Sequence, residues 1–230
     1  KVMGETFMNM PHCVLHTGID SDFVLSKLGV TENDIRDALM SALYERRKSS
    51  KLHPKVDAGF RFWSEMVAAL RRILIGKGNG WSSEVVNRME MVVNSSKGVN
   101  LIITSGDGHT GRPDGLPKTK NAKGEATRSI VHNNPGTFDM FQADTLHSGK
   151  AEITPIDSTR TYIVLYYYDA ANKEIRCEVS YPVGMVNQDG FARVSAWSER
   201  IILAPLQFEG ADIFPEQDFD DDISISVESK

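Results

Sequence analysis

The stretch from Gly98 to Arg128, GVNLIITSGDGHTGRPDGLPKTKNAKGEATR, divides this chain into two unlike halves. An apolar run, Val99 to Thr104, leads into a long segment rich in Gly, Pro, Lys and Thr. Structureless segments of that length are uncommon in compact domains unless they carry function or are disordered. The residues before it show mostly helical periodicity, and those after it mostly strand alternation. Helices followed by strands, rather than the two in alternation, predict an α+β fold. The expected architecture is N-terminal helices packed on a mostly antiparallel sheet, with a long Gly/Lys-rich basic loop and an acidic C-terminal tail. Residues 1–30 read as an irregular arm, 31–210 as a single domain (helical to about 97, sheet from about 98), and 211–230 as the tail.

In the helical half, Thr31-Glu-Asn-Asp34 has the form of a capping box, with an acid three residues after the threonine. It opens a helix predicted over about 32–48, with Ile35, Leu39 and Leu43 on one face. The strongest periodic signal follows over about 57–75. Phe60, Trp63, Val67, Leu70 and Leu74 recur at spacings of 3, 4, 3 and 4, widened by Phe62, Met66 and Ile73, and so predict one broad buried face. Arg61, Arg71 and Arg72 fall off that stripe. Gly76 to Gly80 ends the helix. A third helix is expected over about 84–94, with Val85, Met89 and Val92 inward.

In the strand half, Val99 to Thr104 is apolar on both faces and should be a central strand. Thr161 to Tyr168 is β-branched and aromatic, Asp169 to Glu174 is turn-like, and Ile175 to Tyr181 alternates, which together predict an antiparallel hairpin. Its second strand puts Ile175, Cys177, Val179 and Tyr181 on one face and Arg176, Glu178 and Ser180 on the other. Phe138, Met140 and Phe141 are expected against the core. A last strand is expected over Arg200 to Leu203.

Composition enters through charge. The 230 residues are 40% apolar and 25% charged, enough for a core, with a net charge of −5. Residues 211–230 hold seven acids against Lys230 alone, whereas residues 36–77 carry ten Lys or Arg against four acids, and residues 109–128 five against two. A basic body with an acidic tail points toward nucleic acid or an acidic partner. No apolar run approaches the roughly 20 residues of a membrane span, and the N-terminal residues lack the apolar core of a signal peptide. Two cysteines far apart make no disulfide framework, and a reducing cytoplasm is the expected location.

The basic loop offers the chemistry. Glycines let backbone N–H groups turn toward an anion, so Arg112, Lys118, Lys120, Lys123 and Arg128 are the candidate contacts to DNA or RNA phosphates. The spacing matches neither a P-loop nor a dinucleotide fingerprint. Asp107 and His109, two residues apart after a strand, form an acid–base or metal-binding candidate, or else an Asp-Gly turn. Asp157 and Glu178-Val-Ser180 bear a similarity to the Asp and Glu-x-Lys of restriction-type nucleases, which would use Mg2+, but Ser180 stands where the lysine belongs. The alternative reading of Glu178 is a cross-strand partner of Arg176 or Lys173. Arg200 is an available charge for a cleft. His12, Cys13 and His16 lack the further ligands a zinc site needs, and no G-x-S-x-G is present. In the tail, Asp220, Asp221 and Asp222 precede alternating Ile223, Ile225 and Val227, a pattern suited to adding a strand to a protein partner's sheet. It resembles short acidic-aliphatic motifs that bind ubiquitin-like folds.

These features lead to the expectation of a nucleic-acid-interacting protein, a nuclease or a subunit of a nucleic-acid-processing complex. The alternative expectation is a non-catalytic assembly subunit that binds proteins through its tail and sheet edges.

Overall fold

The computed structural model describes residues 13–134, 159–188 and 191–209. Phe138, Met140, Phe141, Asp157 and the tail residues Asp220, Asp221, Asp222, Ile223, Ile225 and Val227 lie outside them. The elements run β1 (Val14–His16), α1 (Ile19–Leu28), α2 (Glu32–Arg46), α3 (Asp57–Gly76), β2 (Trp81–Val86), β3 (Met89–Asn94), β4 (Val99–Ser105), α4 (Glu125–Asn133), β5 (Arg160–Asp169), β6 (Glu174–Gln188), β7 (Phe191–Ile202) and β8 (Leu206–Gln207). One sheet holds all eight strands in the order β1-β7-β6-β5-β4-β3-β2, with β8 beside β6. The β1–β7 and β4–β5 pairs are parallel and the rest antiparallel. The fold is therefore α+β with a mostly antiparallel mixed sheet.

The capping box forms as read. The Thr31 hydroxyl accepts from Asp34 N at 3.2 Å, and Thr31 N donates to Asp34 Oδ2 at 2.7 Å. Lys77, just past α3, pairs with the same Asp34 carboxylate and ties the end of α3 to the start of α2. Helices α1 to α3 cover one face of the sheet. Their Leu25, Ile35, Phe62, Met66 and Leu70 join Leu101, Val164 and Val179 in the main core. Each large side chain buried there contributes about 1.5–3 kcal/mol. On the opposite face, Val131 of α4 packs with Ile163, Leu165, Met185, Val194 and Trp197.

Three elements differ from the sequence reading. The segment expected as a third helix is the β2–β3 hairpin, with Trp81 opposite Asn94 and Val86 opposite Met89. Asn87 and Arg88 turn it with φ of 52° and 65°, the left-handed pair that matches strand twist in a two-residue hairpin. Val85 consequently faces outward, 62% exposed. Second, the N-terminal arm contains β1 and the helix α1, which Gly29 ends with φ 85°. Third, α4 follows the basic loop, between the parallel neighbours β4 and β5 in chain order. The final strand is also longer than expected, running from residue 191 to Ile202.

The predicted hairpin is present as β5–β6, with Ile163 opposite Ser180 and Tyr166 opposite Cys177. Ile175, Cys177, Val179 and Tyr181 all enter the main core, as their alternation requires. Burial drives the Cys177 thiol pKa far up, leaving it inert.

Candidate functional site

The polar face of β6 organises the loop that follows β4. Glu178 is fully buried and Arg200 is 3% exposed. They meet in a two-pronged ion pair, with Arg200 Nε donating to Glu178 Oε1 at 3.0 Å and Nη2 to Oε2 at 2.6 Å. Ser180 Oγ adds a donor to Oε1 at 2.7 Å, and the Gly111 backbone N–H one to Oε2 at 2.8 Å. Two further guanidinium hydrogens reach the carbonyls of Gly115 at 2.7 Å and Arg112 at 3.0 Å. A carboxylate has about four acceptor positions, and here four donors fill them. Glu178 thus anchors the loop to the sheet. Its partner is Arg200 rather than Arg176 or Lys173; Arg176 pairs instead with Asp169 at 3.3 Å. Arg200, read from sequence as a charge available to a cleft, is consumed by this clasp.

Gly111 is required there. Its φ is +70°, and a Cβ would lie 2.8 Å from the Arg176 Cβ and 3.3 Å from Cys177 N. Further along, Thr119 N donates to the Val194 carbonyl at 3.1 Å and Trp197 Nε1 to that of Pro117 at 2.8 Å. The loop is therefore an ordered layer on the sheet. Asp107 and His109 form a local turn in it, with His109 N donating to Asp107 Oδ1 at 3.1 Å and Thr110 N to the Asp107 carbonyl. His109 is exposed. Among the described residues, no three His, Cys, Asp or Glu side chains gather in a way that would hold a metal ion.

A cleft of about 880 Å3 opens at the carboxyl ends of the parallel strands β4 and β5. Its floor includes Thr104, Ser105 and Tyr166 to Tyr168; its walls come from the α2–α3 turn, the start of α3, the β2–β3 turn and the second half of the loop. Among the described residues, Arg46, Lys51, Lys55, Arg88, Lys120 and Lys123 line it, against the single carboxylate of Glu90. Trp63 is fixed by donating Nε1 to the Ile103 carbonyl at 3.1 Å. Phe60, 6.0 Å from Trp63 between ring centroids, is 62% exposed. The helical stripe had placed Phe60 in the core; it lies at the cleft instead, because Phe62 and Met66 fill the buried arc.

Lys123 is the most perturbed cation. Its Nζ donates to Thr104 Oγ1 at 2.7 Å, and its backbone N–H bonds the Ala192 carbonyl at 2.7 Å. Burial lowers its pKa to about 8.

Of the five loop cations expected to meet phosphates, Lys120 and Lys123 line the cleft, whereas Arg112, Lys118 and Arg128 do not. Arg128 lies on α4, 3.8 Å from Glu125. The off-stripe arginines of α3 are engaged: Arg61 with Asp57 at 2.7 Å, Arg71 with Glu90 at 2.8 Å and Arg72 with Glu65 at 2.9 Å. His16 meets Glu199 at 3.1 Å. Sequence reasoning missed Lys51, Lys55 and Phe60 as site residues, although the basic excess of residues 36–77 was the available signal. No helix among the described residues is long and apolar enough to cross a membrane. No family model, curated protein or solved structure matches the chain.

Proposed function

We propose that this protein binds single-stranded DNA or RNA, with the strand lying in the cleft at the carboxyl ends of β4 and β5. The observation that carries the reading is the lining: among the described residues, six cations against one carboxylate, beside the exposed ring of Phe60. Lys and Arg contacts to phosphates dominate nucleic-acid affinity, and aromatic faces stack on bases only where bases are unpaired. In this reading Lys51, Lys55 and Lys120 meet phosphates, Phe60 stacks on a base, and Lys123 with Thr104 offers donors at the floor. The nuclease reading has less support, since the Glu178 carboxylate is saturated and Asp107 and His109 belong to a turn.

The test is anisotropy of labelled 20-mers, single- and double-stranded, DNA and RNA, across a salt series. The expected outcome is single-strand binding whose log affinity falls linearly with log salt, at a slope of about 0.7 per phosphate neutralised. Binding that ignores salt, or is absent at low salt, overturns the reading.

The alternative reading, a protein-binding subunit, draws on one feature. β2 ends the strand order, and Val85 and Val86 are exposed on it. An edge of this kind can accept a partner's strand.

A further inference from the structure

We infer that the cleft is also the docking surface for this chain's own acidic C-terminal segment, residues 210–230. Three observations place the segment and the cleft together. The first is where the described chain ends. Arg47 Nη2 donates to the Glu209 carbonyl at 2.5 Å, and Phe208 stacks on Tyr168 at 5.1 Å between centroids. Tyr168 lines the cleft, and the Arg46 guanidinium, also in the lining, lies 4.0 Å over its ring. Glu209, the last described residue, therefore lies beside the cleft.

The second observation is charge. Residues 210–230 carry Asp212, Glu216, Asp218, Asp220, Asp221, Asp222 and Glu228 against Lys230, a net charge of −6. The cleft presents six cations and one carboxylate. Opposite fields at this separation steer and hold such a segment more strongly than isolated surface pairs would.

The third is reach. Ten residues lie between Glu209 and Asp220, and an extended chain spans about 3.3–3.6 Å per residue, a length sufficient to cross a cleft beside Glu209. Phe214 and Phe219 add aromatic side chains beside those acids in sequence, the pairing of ring and anion that a nucleotide also presents. The segment occupies the cleft as a competitor of an anionic ligand, and tethering gives it an effective concentration in the millimolar range. This inference shares the cleft with the proposed function but does not depend on the ligand being nucleic acid.

The test has two arms. In the first, the full chain is treated with a water-soluble carbodiimide at low salt and dilute protein, and the resulting amide links are mapped by mass spectrometry. Links from Asp218, Asp220, Asp221 or Asp222 to Lys51, Lys55 or Lys120 within one chain, lost at high salt, are expected. Links spread equally onto Lys27 and Lys97, links only between chains, or no links to the three cleft lysines overturn docking. In the second arm, the full chain with its acids at 212, 216, 218, 220, 221 and 222 changed to their amides is compared with the unaltered chain for binding of a labelled single strand. An affinity gain of about tenfold is expected from release of a tethered competitor. Equal affinity, with no cleft links, sinks the docking and leaves the proposed function standing; cleft links with no oligonucleotide binding by either chain sink the proposed function and leave the docking standing.

Discussion

The two halves of the glycine-rich loop carry charge to opposite ends. Beneath residues 106–117 the sheet supplies a buried, matched pair: Arg200 meets Glu178, and two further guanidinium hydrogens go to loop carbonyls. In residues 118–128, Lys120 and Lys123 join Lys51, Lys55, Arg46 and Arg88 around a cleft with one carboxylate. A buried pair whose carboxylate is filled by four donors builds architecture and leaves that carboxylate no capacity for a ligand. A cluster of like charge around a cleft has the reverse character: it costs self-repulsion and gains from an incoming anion. The clasp pins the first half, backbone bonds to Ser105, Ala192 and Val194 pin the second, and the second is where a ligand is expected.

The sharpest way to break this contrast is to remove the clasp. Glu178→Ala leaves Arg200 buried without its partner and should cost about 3–5 kcal/mol of stability. Denaturant unfolding measures the loss, and limited proteolysis should cut within residues 106–117. If Glu178→Ala keeps wild-type stability, the clasp is not what orders the loop. Gly111→Ala tests the same half locally: its φ of +70° and the 2.8 Å approach to Arg176 predict a loss of about 1–3 kcal/mol.

The cleft half should respond in binding and not in folding. Phe60→Ala, at a ring 62% exposed, should leave the unfolding midpoint within about 0.5 kcal/mol of wild type. It should weaken single-strand binding by about 1–3 kcal/mol, roughly ten- to a hundredfold. A loss of stability without a loss of binding would make Phe60 a packing residue.

The smallest effect concerns pH. The protonated Lys123 amine is the form that attracts an anion, and its pKa is lowered to about 8 by burial. Affinity should therefore be full below that pH and decline as pH rises through about 8. Lys123→Met should bind more weakly at pH 7 and show little change between pH 7 and 9. A wild-type profile that is flat across that range would remove Lys123 from the ligand contacts.

Much of the scaffold was legible because local and tertiary preferences agree. Thr31 and Asp34 mark a helix start by side-chain chemistry alone, and the alternation of Ile175 to Tyr181 fixes which side chains enter the core. The β2–β3 hairpin was not legible, since Val85, Met89 and Val92 also suit a helical face and Asn87-Arg88 lacks the glycine that usually marks a tight turn. Glu178 and Arg200 lie 22 residues apart on neighbouring strands, and their shared grip on a third segment emerges only from the sheet register. Lys51 and Lys55 stand in the α2–α3 turn, where cations read as ordinary solvated residues until the fold brings Lys120 and Lys123 across from them. Phe60 satisfies a helical stripe whose buried arc is filled by its neighbours.

The central claim, that the cleft cations and not the loop's outer cations meet phosphates, has one direct measurement. The salt dependence of single-strand binding should be compared for Lys51→Ala/Lys55→Ala/Lys120→Ala and for Arg112→Ala/Lys118→Ala/Arg128→Ala. The account predicts that the first triple variant lowers the slope of log affinity against log salt by about 2, while the second leaves it nearly unchanged. Equal losses of slope in both variants, or a larger loss in the second, would contradict it.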